Sequence, residues 1–210
     1  MEVQRKSLTQ LFVPICFETL FYMLAGMVDT LMLSSVSDQA VGAVGTANTY
    51  IGVFIIMFGV ISSGMVAVMT QNIGAGKPGI AYQARQLGLL FNAIIGVLMS
   101  VFLAFFSGNI LKIVSIAPAL LEPAETYLKI VGGACFLNAL IPIFSSYLRV
   151  FGYTKQSLFA SVVGNVINFV LNAVFLYVMN LGVMGVAAET VISRVINLII
   201  VAVMGAVLIK

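Results

Sequence analysis

Long apolar runs separated by short, turn-rich breaks dominate this chain. Six stretches reach the roughly 20 apolar residues that a helix needs to cross a hydrocarbon core: Leu11–Leu33, Gly45–Asn72, Leu87–Phe106, Tyr127–Leu148, Leu158–Val178 and Val183–Ile209. The breaks at Ser34–Gly42, Gly74–Gly79, Gly108–Pro123, Phe151–Gln156 and Asn180–Gly182 are places where a helix is expected to stop. The pattern predicts an all-α, polytopic membrane protein: residues 1–210 as one lobe of six transmembrane helices. The first stretch follows Arg5 and Lys6, as a signal peptide would. It is too long for such a segment and ends in no small-x-small cleavage site, so it is read as a helix.

Composition agrees. Hydrophobic residues make up 61% of the chain and charged residues 8%, against about 25% charged in soluble domains. The net charge of +3 includes no basic run longer than Arg5-Lys6, which excludes a nucleic-acid surface. With no His in the chain there is no His-ligated metal site, and no cofactor beyond a coupling ion is expected. Cys16 and Cys135 lie in apolar stretches and form no framework. Gly74-Ala75-Gly76-Lys77 looks like the end of a phosphate loop, but Gln71 stands where the first glycine belongs and Pro78 replaces the Ser or Thr.

The charges also predict an orientation. Arg5, Lys6, Lys77, Arg85, Arg149, Lys155 and Lys210 fall at one set of helix ends. The other set has only Lys112 and Lys129, offset by Asp38, Glu122 and Glu125. By the positive-inside rule both termini are cytoplasmic, in a plasma (cytoplasmic) membrane.

Ionisable residues at depth are the informative ones, since each costs about 2.5–3.5 kcal/mol to insert. Glu18, Asp29, Glu189 and Arg194 qualify, and Asn165, Asn168 and Asn172 add a polar stripe at i, i+3, i+7. The bland reading is that such groups glue helices together at about 0.6 kcal/mol each. Depth argues against scattered glue. At a rise of about 1.5 Å per residue, Asp29 lies roughly 6 Å below the outer surface, Asn172 about 9 Å, Glu189 and Thr190 about 9–10 Å, and Asn168 about 15 Å. Glu18 and Asp29, eleven residues apart, return to within about 20° of one face. Glu18 sits in the inner half. Pro14 and Pro142, each inside a span, are candidate kinks.

At these residues the chain resembles a known family, the amino-terminal half of the multidrug and toxic compound extrusion transporters. The resemblance begins at Pro14, Glu18 and Val28-Asp29-Thr30, and continues through Ala40–Gly45, Gln71–Gly76 and Pro118 to Tyr127-Leu128-Lys129-Ile130. It is strongest over Leu148–Lys155, and is followed by Asn168, Asn172 and Gly182–Thr190. It implies a fold of two six-helix lobes related by a pseudo-two-fold axis along the membrane normal. It also implies export of amphiphilic or cationic organic compounds by alternating access, in exchange for H⁺ or Na⁺. The family's coupling-ion site falls on Asp29, Asn168, Asn172 and Thr190, which would also ligate Na⁺ if that is the ion, and its kink proline falls on Pro14. Gating or substrate contact is expected of Pro14, Glu18 and Asn165.

Two departures follow. Asn172 stands where the family has a carboxylate, and Glu189 stands where it has a small residue, so Glu189 is expected to join the site as a relocated carboxylate. The alternative is that Glu189 pairs with Arg194 on its own helix, at a poor angle of about 140°. The six stretches account for one lobe and the carboxyl-terminal lobe is expected to be absent, so the expected partners are the bilayer, an amphiphilic small molecule and a second six-helix lobe from another copy or a separate chain. The alternatives are a non-transporting remnant or subunit of a split transporter, and a flippase for lipid-linked precursors. An intramembrane two-aspartate protease is disfavoured by the single intramembrane Asp, and no enzyme activity is expected.

Overall fold

The computed structural model describes residues 7–209, so Arg5, Lys6 and Lys210, used above for orientation, lie outside the described residues. The helices are α1 (Leu8–Ser34), α2 (Asp38–Gly74), α3 (Pro78–Ile113), α4 (Pro118–Gly133), α5 (Cys135–Val150), α6 (Thr154–Ala173) and α7 (Gly182–Leu208). A π-helical turn, Val174–Val178, extends α6. Five of these are long and apolar enough to cross a membrane (α6 with its π turn), and α4 with α5 makes a sixth span if the bent pair counts as one.

Local chemistry sets the helix ends. Ser7 and Gln10 form a reciprocal capping box at α1, Ser37 caps α2, and Pro78 and Pro118 occupy the first positions of α3 and α4. These signals carry helices beyond the apolar stretches. The expected break Gly108–Pro123 therefore shrinks to residues 114–117, because α3 runs to Ile113 and proline starts α4 early. The phosphate-loop look-alike is the α2–α3 turn. Gly76 takes φ 71° there, and the amides of residues 75–77 are spent on the carbonyls of Gln71, Ile73 and Asn72.

The fourth span is corrected most. It is not one helix over Tyr127–Leu148 but two, bent by 44° at Ala134. Gly132 lets α3 come close, since a Cβ there would lie 2.9 Å from the Leu103 Cβ. The backbone N–H of Phe136, just past the break, donates to Ser100 Oγ at 2.8 Å. A break within a membrane is tolerated when a neighbouring helix satisfies the freed backbone in this way. Pro142 lies inside α5, away from this bend, and Pro14 lies inside a continuous α1.

Small residues build the contacts between α2, α3, α4, α5 and α7. Ala43, Ala47, Ala124, Ala139 and Ala187 are fully buried, and a Cβ on Gly96 would meet the Ala139 Cβ at 2.7 Å. Close backbone approach of this kind drives helix association where lipid removes the hydrophobic incentive. α1 joins this core only at its outer end, through Met32 and Leu33 with Val28 packed beside them. Over the rest of its length it buries only Pro14 and Glu18 and lies mainly along α6, where its contacts include several polar ones.

Candidate functional site

The outer polar cluster draws on three helices. Asp29 comes from α1, Asn168 and Asn172 from successive turns of α6, and Glu189 and Thr190 from the first turns of α7. Asn172 Nδ2 donates to Asp29 Oδ1 at 3.0 Å. Asn168 Nδ2 donates to Glu189 Oε2 at 2.5 Å, and Thr190 Oγ1 donates to Glu189 Oε1 at 2.9 Å. All five residues proposed from the sequence are thus brought together, as two carboxylates each held by an amide of α6.

Burial is unequal. Glu189, Asn172 and Thr190 are buried, whereas Asp29 and Asn168 are partly exposed. Asp29 and Asn168 open onto a cavity of about 230 Å³ between α1 and α6, which Phe21, Ala25, Val28 and Asn165 also line. Two polar atoms at the site have no partner in the structure: the Asn172 Oδ1 and the Asn165 Nδ2. A buried carbonyl oxygen without a donor costs about 1–3 kcal/mol and is an acceptor ready for a cation or water.

The charges of Asp29 and Glu189 act on one another, and that of Arg194 reaches both. Arg194 makes no ion pair with Glu189. Among the described residues the ion pairs are Glu18–Arg149 and Glu125–Lys129. No group of three or more His, Cys, Asp or Glu side chains gathers among them either, so any cation here would meet two carboxylates and neutral oxygens.

Glu18 belongs to a separate, inner cluster. Arg149 Nη2 from α5 donates to Glu18 Oε1 at 2.6 Å, Ser161 Oγ at 2.8 Å, and Ser157 Oγ reaches both carboxylate oxygens at 3.3 Å. In the sequence Arg149 reads only as one of the charged inner ends, and neither serine stands out as ionisable. Their signal was their spacing: Ser157 and Ser161 precede Asn168 and Asn172 on α6 by eleven residues each, so they share the stripe's face. Asn92 is a further buried polar residue that the depth and stripe arithmetic does not single out. Fully buried, it donates to the Phe58 and Ala139 carbonyls at 3.3 and 2.9 Å and ties α3 to α2 and α5.

A bundle of membrane-spanning helices, one of them broken, with carboxylates and amides meeting at depth between helices, has the construction of a secondary transporter. The MatE family model matches residues 14–174, and the chain belongs to that family, the multidrug and toxic compound extrusion transporters. It is 36% identical to the uncharacterized transporter YisQ of Bacillus subtilis (strain 168), over 92% of this chain and 43% of that protein. It is 28% identical to the multidrug resistance protein PmpM of Pseudomonas aeruginosa, over 84% of this chain and 37% of that protein. Among solved structures, the outward-facing conformation of a multidrug resistance MATE family transporter of the MOP superfamily superposes with a TM-score of 0.86 at 21% identity. That match covers 93% of this chain and 44% of that one and shows the shared fold. The chain spans less than half the length of these relatives.

Proposed function

We propose that this chain is the amino-terminal lobe of an ion-coupled antiporter that exports amphiphilic or cationic organic compounds by alternating access. Asp29, Asn168, Asn172, Glu189 and Thr190 bind the coupling ion, H⁺ or Na⁺. The observation that carries the reading is the pairing of two carboxylates with two amides on one helix, beside the unpartnered Asn172 Oδ1. Two carboxylates so close repel one another, and a proton or a Na⁺ relieves the repulsion. Na⁺ as a transported ion suits this set of carboxylate, amide and hydroxyl oxygens, with Asp29, Asn168, Asn172 and Thr190 as its ligands. The ion enters from the α1–α6 cavity, onto which Asp29 and Asn168 open.

The membrane is a cytoplasmic one and both termini face the cytoplasm. The matched relatives are more than twice as long, which supports a second six-helix lobe completing the substrate pathway. Gradient-driven ethidium uptake into proteoliposomes tests the reading, with the chain alone and with a candidate second lobe, under an imposed pH or Na⁺ gradient. Uptake that requires one of the gradients is expected. Uptake indifferent to both contradicts ion coupling.

A further inference from the structure

α1 and its C-cap are tied to α6 and its π-helical turn by polar contacts at four levels. Thr154 Oγ1 donates to the Gln10 carbonyl at 3.5 Å, and Ser161 Oγ donates to Glu18 at 2.8 Å. Asn172 Nδ2 donates to Asp29 at 3.0 Å, and the Tyr177 hydroxyl meets Ser35 Oγ at 2.9 Å. The partners differ in residue number by 144, 143, 143 and 142, and by 145 where the Tyr177 hydroxyl also donates to the Met32 carbonyl at 3.4 Å; Ser157, one turn before Ser161, also reaches Glu18 at a difference of 139. A near-constant offset over the whole helix means that α1 and α6 run parallel and in step. The lowest contact follows from Pro14, which has no N–H for the carbonyl four residues earlier, that of Gln10. The freed carbonyl takes the Thr154 hydroxyl instead.

Close packing does not enforce this register along the length between the two carboxylates. The 230 Å³ cavity lies there, bordered by Phe21, Ala25, Val162 and Val166, and Gly26 has no neighbour within reach of a Cβ. Among the four contacts, the one at Glu18 is ionic and multiply bonded, through Arg149, Ser157 and Ser161 from two helices. The Glu18 Oε1 takes three of these donors, and Oε2 shares the Ser157 hydroxyl, so this contact is the most heavily bonded of the four. Eleven residues farther along both helices, about 16 Å and three turns on, lies the Asp29–Asn172 contact.

We propose that Glu18 and Arg149, with Ser157 and Ser161, are positioning residues that set the axial register of α1 on α6 and so place Asp29 opposite Asn172. A slip of one turn would move Asp29 by about 5.4 Å along α6 and separate it from the amide. The register holds whether or not the coupling-ion reading is right, so the test reads distance and not transport.

Spin labels at Leu31 and Val178, both well exposed at the outer ends of the two helices, report the register by pulsed electron resonance. The 210-residue chain is used in lipid nanodiscs, with Cys16→Ser and Cys135→Ala removing the native thiols. One narrow distance is expected for the otherwise unaltered chain. Glu18→Leu with Arg149→Met, which removes the pair without stranding a charge, shifts or broadens that distance by up to about 5 Å. The reversed pair, Glu18→Arg with Arg149→Glu, restores it. If the apolar pair fails to insert, Ser157→Ala with Ser161→Ala removes the α6 side of the contact and is expected to broaden the distance. An unchanged distribution in either disrupted variant, or no restoration by the reversed pair, overturns the proposal.

Discussion

Glu189→Gln separates the charge of the proposed site from its packing. The glutamine has the shape of the native side chain, and its single carbonyl can accept from Asn168 or from Thr190 but cannot replace both carboxylate oxygens. Its new amide protons meet a fully buried environment, where an unsatisfied polar group costs about 1–3 kcal/mol. A modest loss of thermal stability is therefore expected, without loss of insertion. The effect on ion binding should be larger than this packing penalty alone predicts. Charge-assisted interactions are worth about 1.5–3 kcal/mol each, and about 1.4 kcal/mol is tenfold in affinity. Removing one of two carboxylates should thus raise the half-saturating ion concentration by about 10- to 100-fold. The assay is ethidium uptake by proteoliposomes across a titration of the driving ion. Glu189→Ala should behave similarly, and adding Asn172→Asp to it should recover much of the ion dependence by returning a carboxylate beside Asp29. If Glu189→Gln keeps its half-saturating ion concentration within about twofold (about 0.4 kcal/mol), Glu189 is not an ion ligand.

Three further outcomes test the frame around the site. Gly96→Leu should destabilise the bundle by about 1–3 kcal/mol or more, measured by thermal unfolding in detergent, because even a Cβ there meets Ala139 at 2.7 Å and the Phe136 backbone at 3.0 Å. Ser100→Ala should cost about 1–3 kcal/mol and speed amide exchange near Ala134, since the Phe136 N–H loses its acceptor. Single cysteines replacing Lys77 and Lys112 should be labelled from opposite sides of the membrane by an impermeant maleimide, with Lys77 on the cytoplasmic side.

The fourth stretch is a bent pair, but the apolar pattern revealed the helical class and the other five stretches as single helices, because the hydrocarbon core makes a coarse demand on length and polarity. It could not locate helix ends, which depend on caps and prolines: Pro118 starts α4 and Ser37 caps α2 inside segments that look like breaks. The bend at Ala134 was written in Gly132-Gly133, but its support, Ser100 on α3, is distant in sequence. The outer cluster was legible because depth and helical phase are arithmetic on residue number, and Asp29, Asn168, Asn172, Glu189 and Thr190 do converge. Arithmetic did not give the pairing. Glu189 reaches Asn168, not the Asn172 that had been placed at its depth, a difference of one turn of α6. The partner of Glu18 was hidden for another reason. Arg149 lies near a helix end, where its charge reads as an inside marker, and only packing shows it meeting Glu18.

The most direct test of the central claim is gradient-driven ethidium uptake by proteoliposomes carrying Asp29→Asn. The amide keeps the size of the side chain and can still accept from Asn172, so insertion and stability should stay near those of the native chain. Uptake driven by the coupling ion should fall at least about tenfold, equivalent to about 1.4 kcal/mol. Uptake at the native rate, with the native dependence on the gradient, would contradict that claim.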